Sequence, residues 1–250
     1  MKLTKLLVVT SLIVVSCSTS NKNEGSAEQV INKAIEVAGG ALFENTTIKF
    51  DFREKHYQYT RNGGTYQYER IFTDSLNVIR DVLNNEGFER FINDTVASVT
   101  PDSMKVKYAN SVNSVLYFAL LPYGLNDDAV IKTYLGESMV KDKWYHKIKI
   151  TFKKEGGGKD HEDVFVYWVE KENFTVDYFA YTYNTDGGGA RFRSAFNPRN
   201  INGIRIVDYI NYKPTNNQYS VEAFDEAFQK NELTELSRIE TENVKVETRK

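Results

Sequence analysis

From Thr47 onward apolar residues recur at every second position, and turns rich in Asn and Gly punctuate them. That pattern restricts most of the chain to antiparallel β-structure. Ile48, Phe50 and Phe52 alternate with polar residues, and segments 56–60 and 65–71 flank Asn62-Gly63-Gly64, whose residues tolerate positive φ, so a hairpin is expected there. Segments 77–82, 87–92 and 96–99 continue as strands up to Pro101. The second half repeats the theme. Trp144, His146, Ile148, Ile150 and Phe152 share one strand face, with Tyr145, Lys147, Lys149 and Thr151 on the other, an arrangement expected of a sheet with one solvated face. Segments 164–170 and 174–183 are apolar or aromatic on both faces, which marks central strands. Segments 191–201 and 204–212 flank Asn202-Gly203, the strongest short hairpin signal in the chain.

Helical spacing interrupts the strands at four places. Val30, Ala34, Ile35, Val37 and Ala38 predict an amphipathic helix over 27–38, stopped by Gly39-Gly40. Over 105–121, Val112, Val115, Leu116 and Ala119 form a stripe that Tyr117, Phe118, Leu120 and Leu121 widen until it nearly encircles the last turn, so this helix must be covered on most sides. A short helix is expected to start at Asn126, followed by Asp127 and Asp128, and to stop before Gly136. Val221, Phe224 and Phe228 predict a helix over 221–230, and the polar tail beyond it is expected to hold one edge strand. Short connections between consecutive strands, with interspersed helices, define an α+β class built on an antiparallel meander. No Pro/Gly/Ser-rich linker divides residues 27–250, which are expected to form one domain.

The N-terminus reads as an address. Lys2 and Lys5 precede an apolar run from Leu6 to Val15 that is too short to span a bilayer, so residues 1–16 are expected to be a signal peptide. Cys17 is the single cysteine, and Val14-Val15-Ser16-Cys17 resembles the lipobox of bacterial lipoproteins, in which such a cysteine carries the lipid. Residues 17–26 are polar and read as a lipidated flexible tether. A cysteine-free remainder suits an oxidising compartment without a disulfide framework, so stability must rest on core packing. Removal of Lys2 and Lys5 takes the net charge from −2 to about −4, which does not recruit nucleic acid. Ser18 is not the aspartate associated with inner-membrane retention, and residues 18–23 hold no acidic run, so the expected location is the periplasm-facing leaflet of an outer membrane.

No constellation in the chain names a reaction. His56, His146 and His161 are scattered without metal-ligand spacing, and Asp160-His161-Glu162-Asp163 after a glycine run reads as a charged hairpin tip rather than a calcium loop. The triplets Gly156–Gly158 and Gly187–Gly189 lack the Lys-Ser or Lys-Thr of a phosphate cradle. No metal, cofactor or catalytic residue is therefore assigned. Two features point instead to binding. Arg191 and Arg193 share a strand face, with Arg199 and Arg205 near the same hairpin; they either grip an anionic group or pair with Asp177, Asp186 or Asp208. Aromatic pairs on the strands, with the 105–121 helix over them, make either a dry core or a groove for an apolar ligand, for which Tyr117, Phe118, Leu121, Trp144, Trp168, Tyr181, Arg191 and Arg193 are the candidate residues.

The stretch from Asn110 to Tyr212, with Ser111-Val112-Asn113-Ser114-Val115-Leu116-Tyr117-Phe118-Ala119 and Arg191-Phe192-Arg193-Ser194-Ala195-Phe196-Asn197-Pro198-Arg199, resembles a family of uncharacterised Gram-negative lipoproteins over most of residues 28–213. Some relatives bear a deoxyribose-phosphate aldolase label. Such an aldolase needs alternating β and α units and a desolvated Schiff-base lysine, and neither pattern is present here. The order of helix, strands, helices and strands also resembles the LolA-type lipoprotein carriers. That likeness implies a curved antiparallel half-barrel sheet with helices covering its concave face, and a lipid-like ligand held between sheet and helical lid. A tethered binding protein is the function so implied, against an envelope hydrolase or isomerase acting on a lipid or glycan, or a purely structural envelope protein. No protein partner is implied.

Overall fold

The computed structural model describes residues 22–97, 100–156, 161–184, 187–215 and 219–249. The expected signal peptide, Cys17, the first part of the tether, the end of the 96–99 strand and Asp186 lie outside the described residues. So do Gly157, Gly158 and Asp160.

Helix α1 (Lys22–Ala38) begins five positions ahead of its apolar stripe and leads through a 3-10 turn at Gly40–Glu44 into a meander. Its strands are β1 (Asn45–Phe52), β2 (Lys55–Asn62), β3 (Thr65–Asp74), β4 (Asn77–Asn84), β5 (Gly87–Ile92) and β6 (Thr95–Val96). Helix α2 (Asp102–Ala119) crosses to a second meander of β7 (Val130–Val140), β8 (Lys143–Phe152), β9 (Phe165–Glu170), β10 (Val176–Tyr183), β11 (Gly189–Ile201) and β12 (Ile204–Pro214). Helix α3 (Phe224–Gln229), β13 (Leu233–Ile239) and β14 (Glu242–Thr248) follow.

Two seven-stranded antiparallel sheets result, ordered β14-β1-β2-β3-β4-β5-β6 and β13-β12-β11-β10-β9-β8-β7, and neither closes into a barrel. The architecture is an open, α+β half-barrel. The two C-terminal strands part company: Ile239 of β13 pairs with Tyr209 in the second sheet, while Thr248 of β14 pairs with Thr46 in the first. Only Glu240 and Thr241 separate them. The tail therefore holds two strands where one was expected, and each lies at a sheet edge, where charged residues are tolerated and period-two apolarity is weak.

Segment 126–136 is not a helix. Tyr123–Asn126 is a 3-10 turn, and β7 pairs with β8 from Val130↔Phe152 to Val140↔Lys143. Val130, Ile131 and Thr133 are β-branched and favour the extended chain, and Val130 and Tyr134 pack on the core. Asn202 (φ 49°) and Gly203 (φ 89°) make the two-residue turn that joins β11 and β12, both central positions having the positive φ such a turn requires.

The second sheet is buried on both faces, as its apolar central strands require. All six residues of β9 are buried. Its inner face packs against Ala27, Val30, Ile31 and Ala34 of α1 together with Leu121 and Leu125. Its outer face carries Tyr145, Trp168, Tyr178 and Phe192 against Phe224 and Phe228 of α3. Each such fully buried large side chain contributes about 2–3 kcal/mol of transfer free energy. Helices thus cover both faces of this sheet, the concave one being covered by α1 and α2. Lys147 and Lys149 are not on a solvated face: Lys147 meets Asp225 of α3 at 3.3 Å, and Lys149 meets Glu222, in the 3-10 turn at Val221–Ala223 that leads into α3, at 2.8 Å.

Candidate ligand groove

Helix α2 is wedged between the sheets, which explains an apolar surface that runs around its last turn. Val112, Leu116 and Leu120 enter the core of the first sheet with Ile48, Phe50, Tyr57 and Tyr59. Tyr117, Phe118 and Leu121 turn the other way, onto the core of the second. The N-terminal half is held by polar contacts. Arg70 and Arg90 both bind the fully buried Asp81, at 2.6 Å each, and Arg70 Nη1 donates to Ser111 Oγ on the helix at 2.6 Å.

Beneath the C-terminal half of α2, where the sheets part, lies a cavity of about 230 Å³. Phe50 and Phe52 of β1 form one wall, Val115, Phe118 and Ala119 the roof, and Val207, Tyr209 and Ile239 the opposite wall. Arg193, Asn211, Ser237 and Thr241 add polar atoms. Among the described residues that line it there is no Asp, Glu, His or Cys. Burial pushes the Tyr209 hydroxyl up to about 12, so it stays a neutral phenol.

Of the residues singled out in the sequence, Phe118, Tyr181 and Arg193 come together. Phe118 stacks on Phe179 at 5.8 Å and meets Tyr181 at 5.4 Å. The Arg193 guanidinium lies 4.0 Å from the Phe118 ring centroid, and its Nη2 donates to the Tyr181 hydroxyl at 3.0 Å. Tyr117 and Leu121 are adjacent but face away from the cavity. Tyr117 shares a hydrogen bond with the Tyr167 hydroxyl at 3.4 Å, burial raising its own pKa to about 12, and Leu121 is buried in the second core. Arg191 stands further along the same strand, over the Tyr183 ring at 5.0 Å.

The tryptophans are elsewhere. Trp168 is fully buried on the outer face, edge-on to Phe192, because strand alternation sends it away from Tyr167. Trp144 sits near the start of β8 and is 53% exposed. Arg199 and Arg205 took the pairing alternative, Arg199 with Asp208 at 2.6 Å and Arg205 with Asp177 at 3.5 Å. Sequence reasoning missed Asn211, Ser237 and the walls from β1 and β12. A signal existed for Asn211, a polar residue in step with Val207 and Tyr209 on an inward face.

Among the described residues no group of His, Cys, Asp and Glu could hold a metal ion, and no helix is long and apolar enough to cross a membrane.

The chain belongs to DUF6503, a family of unknown function whose pattern matches residues 3–241. No curated protein matches it. Among solved structures it is similar to a LolA superfamily protein from Nitrosomonas europaea, with 13% identity and a TM-score of 0.47 over 88% of this chain and 92% of that one. It is likewise similar to a DUF1329 family protein from Desulfovibrio piger, with 12% identity and a TM-score of 0.42 over 88% and 92%. The lipoprotein LppX of Mycobacterium tuberculosis matches at 8% identity and a TM-score of 0.31 over 66% and 91%.

Proposed function

We propose that this chain is a lipid-anchored envelope protein that holds an apolar or amphipathic, lipid-like ligand in the groove beneath α2. The observation that carries the reading is the cavity of about 230 Å³ between the sheets, walled by Phe50, Phe118, Val207 and Ile239. Concave, mostly apolar sites with a few convergent polar groups are the usual form of a small-molecule site. An envelope hydrolase finds less support, because the groove lining offers no carboxylate or imidazole to act as acid or base. Lipidation of Cys17 would tether the groove at the periplasmic side of the outer membrane, where acyl chains are at hand.

The test is native mass spectrometry of the full chain extracted from membranes in mild detergent. A co-purified lipid mass, and a fall in unfolding temperature after its removal, are expected, since a ligand that binds only the folded state raises its stability. An extracted protein with no bound lipid and a melting temperature insensitive to delipidation would sink the reading. Replacing Cys17 with alanine should shift the protein from the membrane to the soluble fraction; an unchanged distribution would remove the anchor from it.

A further inference from the structure

Strand register lines up polar side chains on the inner face of the second sheet. Arg193 pairs with Asn211 across β11 and β12, and Asn211 pairs with Ser237 across β12 and β13. All three line the groove. Arg193 is 8% exposed, and its guanidinium sits within 5.4 Å of the ring centroids of Phe118, Phe179 and Tyr181. Among the described residues the side chain makes one hydrogen bond, to Tyr181, and its Nε is buried without a partner.

A guanidinium does not give up its proton in a protein, so this charge persists inside the fold. Buried cations are ordinarily paired with an anion. Neighbouring strands supply carboxylates to the other arginines of this hairpin, Asp208 of β12 to Arg199 and Asp177 of β10 to Arg205, but none of the ion pairs among the described residues includes Arg193. Aromatic faces offset part of the desolvation, yet they leave the in-plane N–H donors unused. Asn211 repeats the pattern: its Nδ2 donates to Ser237 Oγ at 3.4 Å, and its Oδ1 is buried without a partner. A half-turn of that amide would let Oδ1 accept from Ser237 and turn the NH2 group to a ligand.

We propose that the groove selects a single-chain anionic amphiphile, an acyl chain ending in a carboxylate or a phosphate. The acid group docks on the unused N–H edge of Arg193 beside Asn211, and the chain lies against Phe50, Phe118 and Ile239. This deepens the reading of the groove as a lipid-like site and rests on it. A fork of donors matches a carboxylate or phosphate in bidentate geometry. The volume of about 230 Å³ lies below the roughly 300–1,000 Å³ of drug-sized pockets, so the groove takes in a segment of one chain and has no room for two.

The test uses the full chain in nanodiscs and four probes sharing one diazirine-bearing hexadecyl chain: fatty acid, methyl ester, alcohol and alkyl phosphate. At equal membrane mole fraction the acid or the phosphate should label peptides 114–119 and 237–241 about tenfold more than ester or alcohol, and whichever acid labels more identifies the headgroup. Arg193→Met should reduce labelling by the acids to the level of the alcohol and leave the alcohol unchanged. Equal labelling by all four probes would overturn the anionic specificity while leaving an apolar groove; no groove labelling by any probe would overturn the groove itself. Suppression by millimolar inorganic phosphate of labelling by both acids, down to the level of the alcohol, would show a site for the free ion and overturn the amphiphile. The four-probe comparison needs no variant, so it stands even where Arg193→Met fails to fold.

Discussion

Replacing Asp208 with alanine removes the acceptor that ties the crossover between β13 and β14 to the second sheet. Asp208 is 2% exposed and receives four hydrogen bonds: from the Thr241 backbone N–H at 2.9 Å, Thr241 Oγ1 at 3.1 Å, Arg199 Nη2 at 2.6 Å and Asn197 Nδ2 at 2.7 Å. Removing one member of a buried ion pair costs about 3–5 kcal/mol, because the other charge is left behind. Arg199 keeps a bond to the Thr241 carbonyl at 2.9 Å and its side chain is 27% exposed, so water relieves part of that cost. We expect a loss of about 2–4 kcal/mol. For a chain of this length that is roughly 5–15 °C in unfolding temperature. Thermal and urea unfolding of the two proteins measure it, and hydrogen exchange localises it: the Thr241 amide and the β14 amides should exchange faster, while those of β9 should not. In a double-mutant cycle with Arg199→Met, the pair should be less destabilised than the sum of the singles, since no stranded cation remains. A loss below about 1 kcal/mol, with Thr241 exchange unchanged, would refute the reasoning.

Phe118→Ala should cost about 3 kcal/mol in urea unfolding, the low end for a ring that is only partly buried, and abolish retention of lipid in native mass spectra, because the ring both roofs the cavity and stacks on Phe179. Asp81→Ala strands Arg70 and Arg90 together, and a loss of about 3–5 kcal/mol is expected, with accelerated exchange in α2 through Ser111. His146 packs on Phe174, and burial holds its pKa below 6.5 even though Glu137 lies 3.8 Å away. The unfolded chain then binds the proton more readily, so stability should fall as pH drops from about 6.5 through the lowered folded value. His146→Gln should flatten that dependence in melting curves taken between about pH 7.5 and 5.5; identical slopes would remove His146 from the account.

Much of the fold was legible because its strands advertise themselves. The hairpins at Gly63-Gly64 and Asn202-Gly203 carry their own turn chemistry, and β9 and β10 reveal a two-sided burial that their apolar runs require. Segment 126–136 misled for a physical reason. Asn126-Asp127-Asp128 imitates a helix start, whereas the decisive term is pairing with β8, a tertiary contact that local propensity cannot see. The strands β13 and β14 were hidden by their edge positions, which select charged residues over alternating apolar ones. In the site, Arg193 was visible as a cation on a strand face, but its company was not. Phe118 arrives from α2 and Phe50 from β1, far away in sequence, and only the register of three strands places Asn211 and Ser237 beside it. Trp144 and Trp168 show the converse: ring size suggested a ligand wall, but strand parity sent Trp168 to the outer core, and Trp144, although on the inner parity, stands exposed at the start of β8.

The divergence of β13 and β14 bears on how the polypeptide acquires its shape. Thr46 Oγ1 donates to the carbonyl of Glu247, 201 positions away, and each sheet gains an edge strand only when residues 233–248 arrive. Long-range pairings of this kind must meet the entropy of closing a large loop before any contact rewards it, which slows folding. A chain leaving the ribosome N-terminus first would therefore expose the Asn45–Phe52 edge and the Ile204–Pro214 edge together until one short segment sealed both. That interval is when assistance from a chaperone would matter most, and shortening residues 233–248 should lower the yield of folded protein more than any loss of core surface accounts for.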